Sequence, residues 1–112
     1  MKDRVYWSNP FDVLCYIAER ALRSAECVYP AYSSRRGSRK FTQPQLAACV
    51  LLKEWAQIEY SSLLRLLRER HWPYLRKALG LSLKRIPHIS TLRAARRKLL
   101  TRHYLNLLLR VK

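Results

Sequence analysis

The sequence predicts an all-α fold, a small helical bundle, on three observations. Apolar residues recur at three- and four-residue spacing through most of the chain. Helix-start signatures stand ahead of those runs, and nothing reads as a sheet. At 112 residues with an apolar fraction of 49%, there is room for one domain and a core of modest size.

Taken in order, Asn9 followed by Pro10 reads as an N-cap with proline at the first helical position, and Asp12 sits where the helix dipole favours a negative charge. Val13, Leu14, Ile17, Ala18, Ala21 and Leu22 then form one apolar stripe, with Glu19, Arg20, Arg23 and Glu26 on the other face. The N-terminal region 1–27 therefore holds an amphipathic helix that starts at this cap and ends near Cys27. From 28 to 40 the pattern breaks. Pro30, Ser33-Ser34, Gly37 and Ser38 mark an irregular connection, and Arg35, Arg36, Arg39 and Lys40 make it a basic linker or arm.

Residues 41–103 read as one helical unit. Thr42-Gln43-Pro44-Gln45 supplies a Thr cap, a Pro in the first turn and a capping-box Gln. Leu46 to Leu52 is apolar on every side, which predicts a central, buried helix that Trp55 and Ile58 continue. A third helix is expected from Tyr60 to Arg70, with Leu63, Leu64, Leu66 and Leu67 inside and Arg65, Arg68 and Glu69 outside. After Trp72-Pro73, a short helix from Tyr74 to Leu79 should close at Gly80. Leu81 to Pro87 is then a connection bearing Lys84 and Arg85.

Ser90 is the expected N-cap of the last helix. On its wheel Leu92, Ala95 and Leu99 share one side, with His103 at the edge; Arg93, Ala94, Arg97, Lys98 and Thr101 share the other. Beyond it, in the tail 104–112, Tyr104, Leu105, Leu107, Leu108 and Leu109 are more large apolar groups than a small domain buries. They predict a partner surface, for self-association or for docking to a further domain.

Charge narrows the function class. The formal net charge is +16, and no carboxylate side chain follows Glu69. An uncompensated cationic surface of this kind attracts a polyanion, and the same segment cannot supply a carboxylate metal ligand or general base. Arg93 and Arg97 stand at i, i+4 with the small Ala94 between them, which suits a helix lying in a DNA major groove. The expected partner is double-stranded DNA, held by a helix-turn-helix-like unit. Phosphate contacts would come from Arg35, Arg36, Arg39, Lys40, Lys84 and Arg85, and base reading from Arg93, Arg97, Lys98 and Thr101.

Other classes find less support. Cys15, Cys27 and Cys49 form no C-x-x-C pair, and the histidines lack ligand spacing with them, so no metal or cofactor is expected and the thiols fit a reducing cytoplasm. No apolar h-region follows the amino-terminal charges, and the run Leu46–Leu52 is too short to span a bilayer, so no membrane role is expected. The alternative to DNA recognition is a helical protein-interaction or general nucleic-acid-binding module.

Several segments resemble the N-terminal region of insertion-sequence transposases. They are Arg39-Lys40-Phe41-Thr42-Gln43-Pro44-Gln45-Leu46, Leu51-Leu52-Lys53-Glu54-Trp55, Tyr60-Ser61-Ser62-Leu63-Leu64-Arg65-Leu66-Leu67, Leu75-Arg76-Lys77-Ala78-Leu79-Gly80-Leu81 and Ile86-Pro87-His88-Ile89-Ser90-Thr91-Leu92-Arg93. The resemblance covers about residues 39 to 100 and lies in the order of segments. It implies a helical domain that binds the element's terminal inverted repeats, with Arg93, Arg97 and Lys98 on the recognition helix. It also implies that the RNase H-like catalytic domain, with its Asp-Asp-Glu set, would begin where this chain stops, so no catalytic residue and no enzymatic activity are expected here. Glu59 before Tyr60, and Ser61-Ser62 after it, depart from the family's hydroxyl residue and Arg-Glu pair.

Overall fold

The computed structural model describes residues 10–30, 41–69 and 73–99, and among them five helices form. They are α1 (Pro10–Val28), α2 (Gln43–Ala56), α3 (Tyr60–Leu67), α4 (Tyr74–Ala78) and α5 (Ile89–Leu99). The predicted cap Asn9, the side chain of Asp12, residues 31–40 of the basic linker and everything after Leu99 lie outside the described residues; Val28, the first residue given to the linker, is the last of α1.

The central position predicted for the apolar helix is observed. Six consecutive residues of α2, from Ala47 to Leu52, are fully buried, so every side of the helix is covered. Its principal neighbours are α1 and α5. α1 turns Ile17, Ala18, Ala21 and Ala25 into the core, and this small-residue stripe lets the two helix axes come close. α3 adds Leu63, Leu64 and Leu67, α4 adds Leu75, and α5 adds Leu92, Ala95 and Leu99. Each fully buried leucine is worth about 1.5–3 kcal/mol, which is what holds helices as short as α3 and α4, since neither would persist alone.

The capping box of α2 forms as the sequence predicts. Gln45 N–H donates to Thr42 Oγ1 at 3.2 Å, and Thr42 N–H donates to Gln45 Oε1 at 3.0 Å. The nitrogen of the same side-chain amide reaches elsewhere. Gln45 Nε2 donates to the Gly80 carbonyl at 2.9 Å, tying the start of α2 to the exit of α4. Gly80 takes φ 70, and a Cβ there would sit 3.0 Å from Gln45 Nε2, so glycine is required both by its backbone and by its neighbour.

α2 ends on Gln57, a non-glycine residue at φ 55 and ψ 44, whose N–H bonds back to Glu54 O at 3.2 Å while Ile58 N–H reaches Lys53 O at 3.3 Å. The left-handed conformation costs an L-residue about 1–2 kcal/mol, part of which glycine recovers. Gln57→Gly is therefore expected to stabilise the protein by about 0.5–1 kcal/mol, read as a raised urea midpoint with unchanged slope.

Three local expectations are corrected. The third helix stops at Leu67, with Arg68 as its C-cap, instead of continuing to Arg70. The cause lies across the bundle: Arg76 of α4 is buried and donates through Nη1 to Leu67 O at 3.0 Å and to Glu69 O at 2.5 Å, fixing the chain as it leaves α3. The last helix starts at Ile89, so Ser90 lies inside it and His88 takes the capping position. The His88 Nδ1 accepts from Ser90 N–H at 3.2 Å and lies 2.9 Å from Ser90 Oγ. The short fourth helix ends one residue early, at Ala78, although Gly80 closes it as expected.

Tyr29, just past α1, donates its hydroxyl to Leu99 O and so ties the end of α1 to α5. Burial raises the Tyr29 phenol above its ordinary value, which keeps this donor protonated.

Candidate nucleic-acid interface

α5 lies on α2 and α3 through Leu92, Ala95 and Leu99, all buried. That packing fixes what the helix shows to solvent. Arg93, Ala94, Arg97 and Lys98 are all exposed, as the wheel predicts. Arg93 and Arg97 are one turn apart, about 6 Å along the axis. Lys84 and Arg85 are also exposed, on the connection that leads into α5. Thr101, Arg35, Arg36, Arg39 and Lys40, and the apolar tail residues Tyr104, Leu105, Leu107, Leu108 and Leu109, lie outside the described residues.

Among the described residues, two cations of the acid-free segment are engaged within the bundle. Arg76 is spent on backbone carbonyls inside the bundle. Arg96, next to the exposed face, bonds through Nε to Glu54 Oε1 of α2 at 2.7 Å, and Lys53 Nζ stands 3.9 Å from the same oxygen. The segment is thus not wholly uncompensated: a carboxylate from 42 residues earlier meets it across the α2–α5 contact.

The structure also adds residues to the candidate surface. A groove of about 610 Å³ runs between α3 and the start of α5, lined by Ser61, Leu64, Arg65, Arg68, Glu69, His88 and Ile89. Beside it a cleft of about 330 Å³ is lined by Lys53, Glu59, Tyr60, Ser61, Ile89 and Arg93. Ser61 and Ile89 belong to both, so the two depressions adjoin, with Arg65 and Arg68 of α3 lining one and Arg93 of α5 the other. Sequence reasoning placed Arg65 and Arg68 outside their helix without connecting them to α5. The available signal was their i, i+3 spacing on the polar face of a leucine-rich helix.

At the floor of the smaller cleft, the Tyr60 hydroxyl is enclosed and has no hydrogen-bond partner among the described residues. Lys53 Nζ lies over its ring, 4.8 Å from the centroid. Burial pushes the Tyr60 phenol above its ordinary value; Arg96 and Arg93 pull it down and Glu54 pushes it up. Tyr60 is therefore a neutral phenol among cations. Glu59 stands at the N-cap of α3 without a side-chain cap bond, where the transposase-like pattern would have a hydroxyl residue.

No three of the His, Cys, Asp and Glu side chains come together among the described residues. Cys49 is fully buried and its thiol is pushed up to about 12, so it stays protonated and inert at neutral pH. No helix among the described residues is long and apolar enough to cross a membrane. The arrangement offers exposed guanidinium and ammonium groups on rigid helices, suited to binding anionic oxygens and base edges. Comparison of the chain with protein families, with curated proteins and with solved structures gives no match.

Proposed function

We propose that this chain is a DNA-binding module of the kind that recognises the ends of an insertion sequence for a transposase, with α3, α4 and α5 as a helix-turn-helix-like unit and α5 as its reading helix. The observation that supports it most is the outward face of α5: Arg93, Arg97 and Lys98 exposed around the small Ala94, and Leu92, Ala95 and Leu99 buried behind them. Arg93 and Arg97 reach base edges in the major groove, where an arginine fork matches guanine O6 and N7. Lys98, Lys84, Arg85, Arg65 and Arg68 neutralise phosphates along the two strands. The ordered resemblance over residues 39 to 100 is what points to transposase ends rather than to DNA in general, and with them to the cytoplasm and the nucleoid.

Binding to duplex DNA measured across salt tests the reading. With about six phosphates neutralised, log affinity falls against log salt with a slope near −5. Arg93→Ala or Arg97→Ala lowers discrimination between the preferred and random duplex by about 1–3 kcal/mol, whereas Lys84→Ala weakens all sequences alike. A flat salt response sinks DNA binding altogether. Uniform weakening by Arg93→Ala and Arg97→Ala sinks base reading by α5.

A further inference from the structure

The connection between α4 and α5 is more organised than a linker. Leu81 and Pro87 are buried and Ile86 is half-buried, so both ends are rooted in the core. Between these roots Ser82, Leu83, Lys84 and Arg85 all stand in solvent. They form a tight turn, closed by Arg85 N–H donating to Ser82 O at 3.0 Å, and the two residues make a bridge pair. The base is held on the other side as well: Leu81 N–H bonds to Arg76 O at 2.8 Å, and the Gly80 carbonyl is held by Gln45.

The apex of this turn carries Leu83, 42% exposed. The other large hydrophobic residues exposed among the described ones are Tyr16 and Tyr74, whose hydroxyls suit solvent. Leu83 has no such group and no core to fill. Beside it stand Lys84 and Arg85, neither with an ion-pair partner among the described residues. A rigid tip with an aliphatic apex flanked by cations matches one nucleic-acid feature well. In a minor groove, cations follow the phosphate walls while an apolar side chain meets the base edges or wedges between them.

We propose that the Ser82–Arg85 turn is a wing that enters the minor groove beside the major groove occupied by α5, with Leu83 at the base edges and Lys84 and Arg85 on the flanking phosphates. This rests on the DNA reading above and adds to it a groove, a contact residue and a sequence preference. The reach is right. Leu83 lies six positions before Ile89, at most about 20 Å of extended chain. The neighbouring minor groove is about half of a ~34 Å helical turn away, and the one beyond it is out of range.

The test uses the full chain and a 30-base-pair duplex selected by it from a random pool. Replacing adenine by 2,6-diaminopurine, one position at a time, adds an amino group in the minor groove and leaves the major-groove edge intact. The expected result is a loss of about tenfold in affinity at two or three adjacent positions flanking the α5 site, comparable to a mismatched pair. Leu83→Ser should erase that sensitivity while the salt slope and the preferred major-groove sequence stay as they are. Leu83 is exposed, so the variant folds; its unchanged circular dichroism is the control. Equal sensitivity of Leu83→Ser and the parent chain overturns the wing, as does indifference of the parent to diaminopurine everywhere. So does a Leu83→Ser variant that changes only self-association, which would make the turn a protein contact. Failure of the parent chain to select any duplex is a different result, and defeats the DNA reading itself.

Discussion

Arg76→Leu is expected to cost the protein about 2–3 kcal/mol of stability, a large share of the 5–15 kcal/mol typical of a domain. Arg76 belongs to the basic segment by sequence, yet its guanidinium donates to Leu67 O and Glu69 O at the end of α3. The Leu67 carbonyl lies at the negative end of the α3 dipole, so a cation there gains from both the hydrogen bond and the field. Leucine fills similar space and removes the desolvation cost of the buried charge, but it takes the donor from the buried Leu67 carbonyl. The second effect is larger because the carbonyls cannot leave with the arginine. Urea unfolding gives the value, and the exposed neighbour Lys77→Leu, expected within about 0.5 kcal/mol of the parent, is the reference. Equal midpoints for the two variants would show that Arg76 is only one more surface cation. The DNA affinity of the folded fraction should be unchanged by Arg76→Leu, since this charge faces inward.

Leu92→Ala is expected to destabilise by about 2–5 kcal/mol, through lost transfer energy and the cavity left behind. For a domain of this size that lowers the melting temperature by about 10 °C or more. Leu92 is fully buried where α5 meets the core, and its neighbour Arg93 is exposed. The two adjacent positions should therefore separate completely. Leu92→Ala loses stability, and DNA binding falls only as the folded fraction falls. Arg93→Ala keeps stability within about 0.5 kcal/mol and loses discrimination. Thermal melts and binding titrations of both variants decide it. Arg93→Ala melting as low as Leu92→Ala would mean that the outward face of α5 is structural after all.

The helices and their inner faces were legible because they follow from local rules. Ala18 and Ala21, Leu63, Leu64 and Leu67, and Leu92, Ala95 and Leu99 each repeat at helical spacing, and each set is buried. Thr42 and Gln45 announced the start of α2, and Gly80 the close of α4. The fate of individual cations was not legible. Arg76 and Arg96 look like Lys77 and Arg97 in a one-dimensional pattern, and what sets them apart lies on other helices, at the exit of α3 and at Glu54. The same limit hid the placing of Arg65 and Arg68 in a depression that adjoins the one lined by Arg93, which depends on how α3 and α5 cross. Ser90 misled for a related reason. A serine near a helix start is a strong cap signal, but an imidazole two residues earlier reaches the same N–H.

Gln43 Nε2 donates to the Pro30 carbonyl at 3.0 Å, so the chain positions on either side of residues 31–40 are stitched together at the surface of the bundle. The core thereby fixes where that stretch leaves and returns, but not its length. Closing a longer excursion over the same base costs only about 0.6 kcal/mol for each doubling. Gln43→Ala would release that tie between the end of α1 and the start of α2 and leave the buried core and the face of α5 as they are.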